Sequence, residues 1–354
     1  MRYYIIAGEA SGDLHGAWLM KQLRNQDSSC SIRFWGGDRM AKEGGEMVCH
    51  YRKNAVMGGT EVLSSIARIL NNLSKCKKDI IKWKPDVVIL IDYPGFNMRI
   101  ASFAHKKGFK VWYFIPPKVW AHGESRVKAL KRDVDRLLTI FPFETEYFKS
   151  HGIDAEYVGN PLCRIYSTQA LESHPAREKV IAFFAGSRKA EIKTLLPRFM
   201  EVEKMIARDT RFNGYRLILA GAPAIDEAYY RKFMDKSSNI EIMFGCSEEL
   251  LLRAEAAVVA SGTANLEAAL AMCPQLCCYV LSPVSYAIAR AILKIDMISL
   301  PNIIMNRRII KEMIQGQAAP ELLFEELESL IFDSYRREQM KRDYKELRKI
   351  LSCS

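Results

Sequence analysis

Tyr3-Tyr4-Ile5-Ile6-Ala7-Gly8-Glu9-Ala10-Ser11-Gly12-Asp13 is the stretch that decides the fold. An apolar, β-prone run ends in Gly8. Small and acidic residues follow, and Leu14 to Leu23 then reads as helix. Strand, small-residue turn and helix start is how a nucleotide-handling α/β domain opens. Glycines at 8 and 12 let backbone N–H groups approach a ligand, and a helix N-terminus favours negative charge. The run has neither the spacing of a dinucleotide fingerprint (G-x-G-x-x-G) nor the Gly-Lys-Ser/Thr of a Walker A loop. Two readings stay open: a ligand-bearing turn with Gly8, Glu9, Ser11 and Gly12 at the ligand, or an ordinary βα turn.

The pattern extends outward from that start. Tyr3–Ala7, Ile32–Trp35, Val87–Ile91, Val111–Phe114 and Arg136–Thr139 read as strands, with helix-length stretches between most of them. This alternation predicts a parallel sheet covered by helices on both faces. It restarts with Val180–Phe184 and the helix Ala190–Ala207. Leu217–Ala220, Ile240–Phe244, Ala256–Val259 and Leu276–Tyr279 continue it. Gly159-Asn160-Pro161 and the polar stretch Ser167–Glu178 form the linker candidate. Two α/β units in tandem with a cleft between them follow: 1–165 and 166–334. Helices over Glu321–Phe332 and Tyr335–Leu351 end the chain, and segment 335–354 is a candidate to complete the first domain.

With 354 residues, 49% hydrophobic and 26% charged, the chain has a globular composition and ample core. The first strand runs straight into the Gly8 turn, so no leader peptide is expected. No apolar run approaches the ~18 residues needed to span a bilayer. A cytoplasmic protein, soluble or peripheral to a membrane, is the expectation. Nine cysteines fit that compartment. They form no C-x-x-C pair, and Cys273, Cys277 and Cys278 read as small buried hydrophobes. The six histidines form no H-x-x-x-H pair, so no protein-built metal centre is expected. The formal charge of +11 suits an anionic partner (a phosphorylated ligand, an acidic membrane surface or nucleic acid) or simple solubility.

Four segments could carry chemistry. Strand Val87–Ile91 delivers Asp92 at its C-terminal end, ahead of Tyr93-Pro94-Gly95-Phe96-Asn97. Ligands of open parallel sheets sit beyond those ends. A carboxylate there can act as general base toward a hydroxyl, or can cap the turn that follows. The turn Ala185-Gly186-Ser187-Arg188 lies between a strand and a helix carrying Glu191. Its N–H groups and the planar fork of Arg188 suit a diphosphate, while a surface arginine closing a loop looks the same in sequence. Ser261-Gly262-Thr263-Ala264-Asn265-Leu266-Glu267 follows a buried strand. Its helix start can receive a phosphate, and Glu267, on the same face as Thr263, can accept from two ribose hydroxyls. Alternatively Ser261 and Thr263 cap the helix and Glu267 is solvated. Ser299-Leu300-Pro301-Asn302-Ile303-Ile304 reads alone as a loop.

Taken in order, Ala7–Asp13, Asp92–Asn97, Pro117–Ala121, Gly159–Leu162, Gly186–Arg188, Ser261–Glu267 and Ser299–Asn302 resemble the lipid-A-disaccharide synthases. The resemblance covers nearly the whole chain. It implies a GT-B type glycosyltransferase: two Rossmann-like domains, an acceptor-side N-terminal one and a UDP-sugar-binding C-terminal one, facing a central cleft. It implies an inverting hexosyl transfer from UDP-2,3-diacylglucosamine to 2,3-diacylglucosamine 1-phosphate, with UDP released, in lipid A biosynthesis. No metal and no cofactor are implied, so Arg188 and helix N-termini would hold the diphosphate. By resemblance Asp92 is the base, Arg188 serves the diphosphate, and Glu267 and Asn302 serve the nucleotide. Gly186, Ser187, Ser261, Gly262 and Thr263 fall with them on the donor side. A homodimer and peripheral association with the inner membrane are implied as well, and nucleic acid is not a partner.

Three positions depart from the common pattern: Ala185 replaces a proline, His122 a tryptophan, and Gly95 an aspartate. The last leaves Asp92 as the only carboxylate of its loop. Val62, Leu63, Ile66, Ile69, Leu70 and Leu73 share one helical face beside a basic cluster. That face is either core or a membrane contact. Given substrates with two acyl chains per sugar, Ile66, Ile69 and Leu70 are expected on an exposed patch. A non-catalytic binding protein and a GT-B epimerase are the competing classes.

Overall fold

The computed structural model describes residues 1–53, 62–119, 124–174, 176–282, 286–287 and 296–352, excepting the side chains of 53, 62–66 and 124. The chain forms two compact units, Met1–Pro161 and Leu162–Ser354.

The first unit is built on seven parallel strands: β1 (Arg2–Ala7), β2 (Ser31–Gly36), β3 (Glu46–His50), β4 (Val87–Ile91), β5 (Lys110–Phe114), β6 (Arg136–Thr139) and β7 (Ala155–Tyr157). Their spatial order is β3-β2-β1-β4-β5-β6-β7. The chain starts in the middle, works out to one edge, and returns to the other side of β1. The order therefore reverses between β1 and β4, which opens a crevice at their carboxyl ends. Ala7 pairs with Ile91 in the register of these two strands. Gly8 and Asp92, the next residues, thus emerge side by side. Every residue of β4 is buried, as its unbroken Val-Val-Ile-Leu-Ile run requires between two helical layers.

The second unit repeats the plan with β8 (Glu178–Phe184), β9 (Arg216–Gly221), β10 (Glu241–Phe244), β11 (Ala254–Ala260), β12 (Gln275–Tyr279) and β13 (Lys311–Ile314). The order is β10-β9-β8-β11-β12-β13, again all parallel. The reversal here lies between β8 and β11. Val259 pairs with Phe184, so the Gly186 and Ser261 loops leave the sheet as neighbours.

Three strands escape the sequence reading: β3, β7 and β13. Each sits at a sheet edge, and each carries charge within a short run (Glu-Met-Val-Cys-His, Ala-Glu-Tyr, Lys-Glu-Met-Ile). Edge strands have one solvated side and need no apolar run. The stretch read as a loop around Pro301 is the helix Leu300–Met305. Its proline stands in the first turn, where an N–H has no intrahelical partner to lose.

The C-terminal helix Ser334–Ile350 falls within the second unit, and the boundary between the units follows Pro161. Tyr344, Leu347 and Leu351 are fully buried there. Arg307 pairs with Asp343 at 2.9 Å, Arg337 pairs with Glu255 at 2.9 Å, and Arg348 donates to the Leu270 carbonyl at 2.9 Å. Cys273, Cys277 and Cys278 are buried free thiols packed as hydrophobes.

Candidate active site

At the reversal point of the first unit, Asp92 and Tyr93 both take left-handed backbone angles, φ 45° and 50°. At the end of the neighbouring strand Ile115 does the same, φ 60°. Such angles are uncommon for any side-chain-bearing residue and costly for a β-branched one. The loop is held by named bonds. The Asp92 N–H donates to the Phe114 carbonyl at 3.2 Å. The Asp92 carbonyl accepts from Tyr113 Oη and from Asn97 Nδ2, each at 2.8 Å. The carboxyl group itself is half-buried. Burial first, and the negative charge of Glu9 second, push its pKa above the ordinary aspartate value, against the opposing pull of Lys118 and a hydrogen bond from the Tyr93 N–H. A carboxylate that is hard to keep ionised is a stronger proton acceptor, which is what a general base requires.

Gly8 and Glu9 stand at this point, and Glu9 is exposed at the start of helix Ala10–Gln26. Ser11 is half-buried in its first turn. Gly12 differs from expectation: it is buried, and a Cβ there would stand 3.2 Å from that of Ala7. It allows the helix to pack closely on β1. Asn97 is turned inward. It is fully buried, and its amide spans the carbonyls of Ile6, Ile91 and Asp92 at 3.4, 3.1 and 2.8 Å. It ties the Asp92 turn to the sheet. Asp13, the acidic end of the opening motif, is spent internally on the N–H groups of Gly37, Arg39 and Met40 at 2.7, 3.0 and 3.1 Å. It closes the start of helix Asp38–Lys42.

In the second unit, Arg188 precedes helix Lys189–Arg208 with its side chain 78% exposed. The N–H groups expected to cradle a diphosphate have a resident partner. Glu191 Oε2 accepts from Ser187 N at 2.9 Å and from Arg188 N at 3.2 Å. Gly186, at φ 96°, leaves room for that carboxylate, since a Cβ would come within 2.3 Å of it. The guanidinium of Arg188 also pairs with Glu191, Nη1 to Oε1 at 3.3 Å, yet is the exposed group of the loop.

Beside it, Gly262 and Thr263 are exposed at the start of helix Thr263–Leu270. The open capping alternative for Ser261 and Thr263 fails. Asn265 Oδ1 takes the Gly262 N–H at 3.3 Å, and Ser261 Oγ reaches the Ile298 carbonyl at 3.4 Å. Glu267, one turn in, is half-buried and accepts from Tyr166 Oη at 3.3 Å. Asn302 departs from expectation as Asn97 does. It is fully buried, accepting from Ile309 N at 2.7 Å and Ile310 N at 3.0 Å and donating to the Ile310 carbonyl and to Glu312 at 2.9 Å each. Glu312 also takes the Ser299 N–H at 2.9 Å and the Ser299 hydroxyl at 2.7 Å. This buried knot shapes the segment behind Ser261.

Among the described residues no group of three His, Cys, Asp or Glu side chains could hold a metal ion. One Asp-x-Asp sequence exists, Asp133-Val134-Asp135, and both carboxylates are occupied. Asp133 pairs with Arg132 at 2.7 Å, and Asp135 accepts from Val111 N at 2.7 Å. They lie at the amino end of β6, away from the strand ends that carry Asp92. His122 and its tryptophan neighbour lie outside the described residues.

The stripe on helix Val62–Trp83 is divided. Leu73, Cys76 and Ile80 are buried in the core, and Ile69 packs partly against it. Leu70 is 59% exposed, and Ile81, on the same face by helical spacing, is 42% exposed. The side chain of Ile66 lies outside the described residues. Of the patch expected of Ile66, Ile69 and Leu70, Leu70 is exposed and Ile69 is partly buried, while Ile81 and Lys78 are exposed further along the helix. Among the described residues, no helix is long and apolar enough to cross a membrane.

Solved structures similar to this chain fix the fold class. A UDP-GlcNAc 2-epimerase from Neisseria meningitidis bound to UDP-GlcNAc aligns over 100% of both chains with a TM-score of 0.67 at 12% identity. The calicheamicin glycosyltransferase CalG4 aligns over 99% of this chain and 95% of its own, with a TM-score of 0.56 at 16% identity. The fold is GT-B type. In sequence, the chain is 36% identical to the lipid-A-disaccharide synthase of Myxococcus xanthus, covering 98% of this chain and 92% of that protein. It is 35% identical to that of Syntrophus aciditrophicus, covering 97% and 92%. The family model described as lipid-A-disaccharide synthetase matches residues 3–354. The chain belongs to the lipid-A-disaccharide synthetase family.

Proposed function

We infer that this chain catalyses the family's reaction, joining UDP-2,3-diacylglucosamine to 2,3-diacylglucosamine 1-phosphate and releasing UDP. The observation that carries the site assignment is Asp92, half-buried at the reversal of the first sheet with a raised pKa and Glu9 beside it. In this reading Asp92 takes the proton of the acceptor 6-hydroxyl as its oxygen attacks the anomeric carbon of the donor. The bond from that carbon to the diphosphate breaks, and inversion follows from attack opposite the leaving group. Arg188 opposes the growing charge on the diphosphate, a group that gains most in the transition state. The N-terminus of helix Thr263–Leu270 takes a phosphate, and Glu267 takes ribose hydroxyls by exchanging its bond with Tyr166. Positioned base catalysis supplies on the order of 10²–10⁴-fold.

The membrane contact rests on Leu70, Ile81 and Lys78. Acyl chains exposed to water cost about 0.8 kcal/mol per CH₂, so an enzyme working at an anionic bilayer surface avoids that loss. Homodimerisation, implied by the resemblance, is read by light scattering.

The test is incubation with both diacylated substrates. Stoichiometric UDP and disaccharide 1-phosphate support the reading. Conversion of the donor to a UDP-linked epimer, or binding without turnover, overturns it. Calorimetry of Arg188→Ala and Glu267→Ala locates the nucleotide, since unchanged UDP affinity in both moves it elsewhere. Activity in EDTA is expected to persist.

A further inference from the structure

Asp92 holds its left-handed conformation next to a second left-handed residue, Tyr93, so its backbone stands in a sparsely populated state that neighbours must enforce. Two side chains grip one atom there. Tyr113 Oη, from the last but one residue of β5, and Asn97 Nδ2, from helix Pro94–Lys106, both donate to the Asp92 carbonyl at 2.8 Å. Both donors belong to fully buried residues. Two donors saturate the lone pairs of that oxygen and fix the plane of the peptide, which sets the direction in which the Asp92 Cα–Cβ bond leaves the backbone. Nothing in the core asks for the hydroxyl of Tyr113. Its ring would pack equally well as phenylalanine, and the nearby strand residues Val111 and Phe114 are apolar. A fully buried hydroxyl is kept only where it is satisfied, and among the described residues this one donates to the backbone carbonyl of the candidate base.

We propose that Tyr113 is a positioning residue for the transfer reaction, acting with Asn97 to clamp the Asp92 carbonyl and aim the Asp92 carboxylate at the acceptor hydroxyl. The proposal rests on the assignment of Asp92 as base. Tyr113 touches no reacting atom. Its contribution is to the geometry of proton removal, so it bears on turnover rather than on holding either substrate.

The test is Tyr113→Phe, which removes one hydroxyl and no carbon, measured beside Asp92→Asn. Loss of one hydrogen bond to a positioned group corresponds to about a ten-fold fall in kcat, with KM for donor and acceptor held within about two-fold. Thermal denaturation should show a folded protein, since Asn97 still holds the carbonyl. If kcat is unchanged, if KM rises in step with a fall in kcat, or if the variant does not fold, the clamp is a structural feature and the proposal falls. If Asp92→Asn keeps turnover, the base assignment falls whatever Tyr113→Phe does. If Asp92→Asn is inactive and Tyr113→Phe is wild-type, only the clamp falls.

Discussion

The ring of Tyr93 fills the space a side chain on Gly8 would need, its Cδ1 standing 2.3 Å from an ideal Cβ at that glycine. Gly8 therefore does more than turn the chain after β1. It makes room for the residue next to Asp92. Gly8→Ala must push Tyr93 aside, and Tyr93 is joined to Asp92 in the same left-handed pair. Overpacking of this kind destabilises by about 1–3 kcal/mol. Turnover should fall at least ten-fold, and Gly8→Ala combined with Tyr93→Ala should recover stability. A single Gly8→Ala variant with wild-type Tm and activity would show that the ring yields freely.

The raised pKa of Asp92 has a signed consequence. The base works ionised, so kcat/KM rises with pH through that pKa, and the acid limb lies above the position of an ordinary aspartate. Glu9 contributes to the rise through its negative charge, so Glu9→Gln should move the acid limb to lower pH. Lys118 acts oppositely, and Lys118→Met should move it up. An acid limb indifferent to both substitutions would assign it to another group.

His15 is buried, its Nδ1 has no hydrogen-bond partner among the described residues, and burial lowers its pKa to about 4. Between the unfolded value near 6.5 and about 4, the unfolded chain binds a proton that the folded chain refuses. Stability therefore falls as pH drops through that window, by on the order of 1–3 kcal/mol. His15→Leu should flatten the Tm-against-pH curve between pH 7 and 4.5 relative to wild type. Parallel curves would contradict the assignment.

Glu191 caps the loop that presents Arg188. Glu191→Ala strands two N–H groups and should cost about 1 kcal/mol, read as a Tm lower by roughly 2–4 °C. UDP affinity should hold or rise, because those N–H groups become free for the diphosphate. A ten-fold loss of UDP affinity would mean that Glu191 itself serves the ligand.

Vesicle sedimentation separates the two sides of helix Val62–Trp83. Leu70→Ser with Ile81→Ser should weaken binding to vesicles rich in anionic lipid and leave Tm nearly unchanged. Ile69→Ser should instead lower Tm, because Ile69 packs on the core. Unaltered vesicle binding in the double variant would place any membrane contact elsewhere.

The sequence makes the inner strands plain because fully buried strands must be apolar throughout. Val87–Ile91 ends where its run ends, and Pro94 starts the next helix in its first turn. The placement of Asp92 and Arg188 in the loops beyond such strands is legible for the same reason. The burial of Asn97 and Asn302 is not. An asparagine that faces a ligand and one that ties up buried carbonyls occupy the same kind of position in a motif, and only the hydrogen bonds tell them apart. Tyr113 carried no signal, since an aromatic within a β-run reads as core. Glu191 was visible as a residue of the helix, and its use as a cap depends on the left-handed turn at Gly186.

The central claim is that Asp92 removes the proton of the acceptor hydroxyl in disaccharide synthesis. Its most direct measurement is the turnover of Asp92→Asn with both diacylated substrates, alongside its calorimetric affinity for UDP. Asparagine keeps the shape and the backbone bonds and cannot accept the proton. The account predicts disaccharide formation reduced by at least about 10²-fold with UDP affinity unchanged. Turnover within a few-fold of wild type would contradict it.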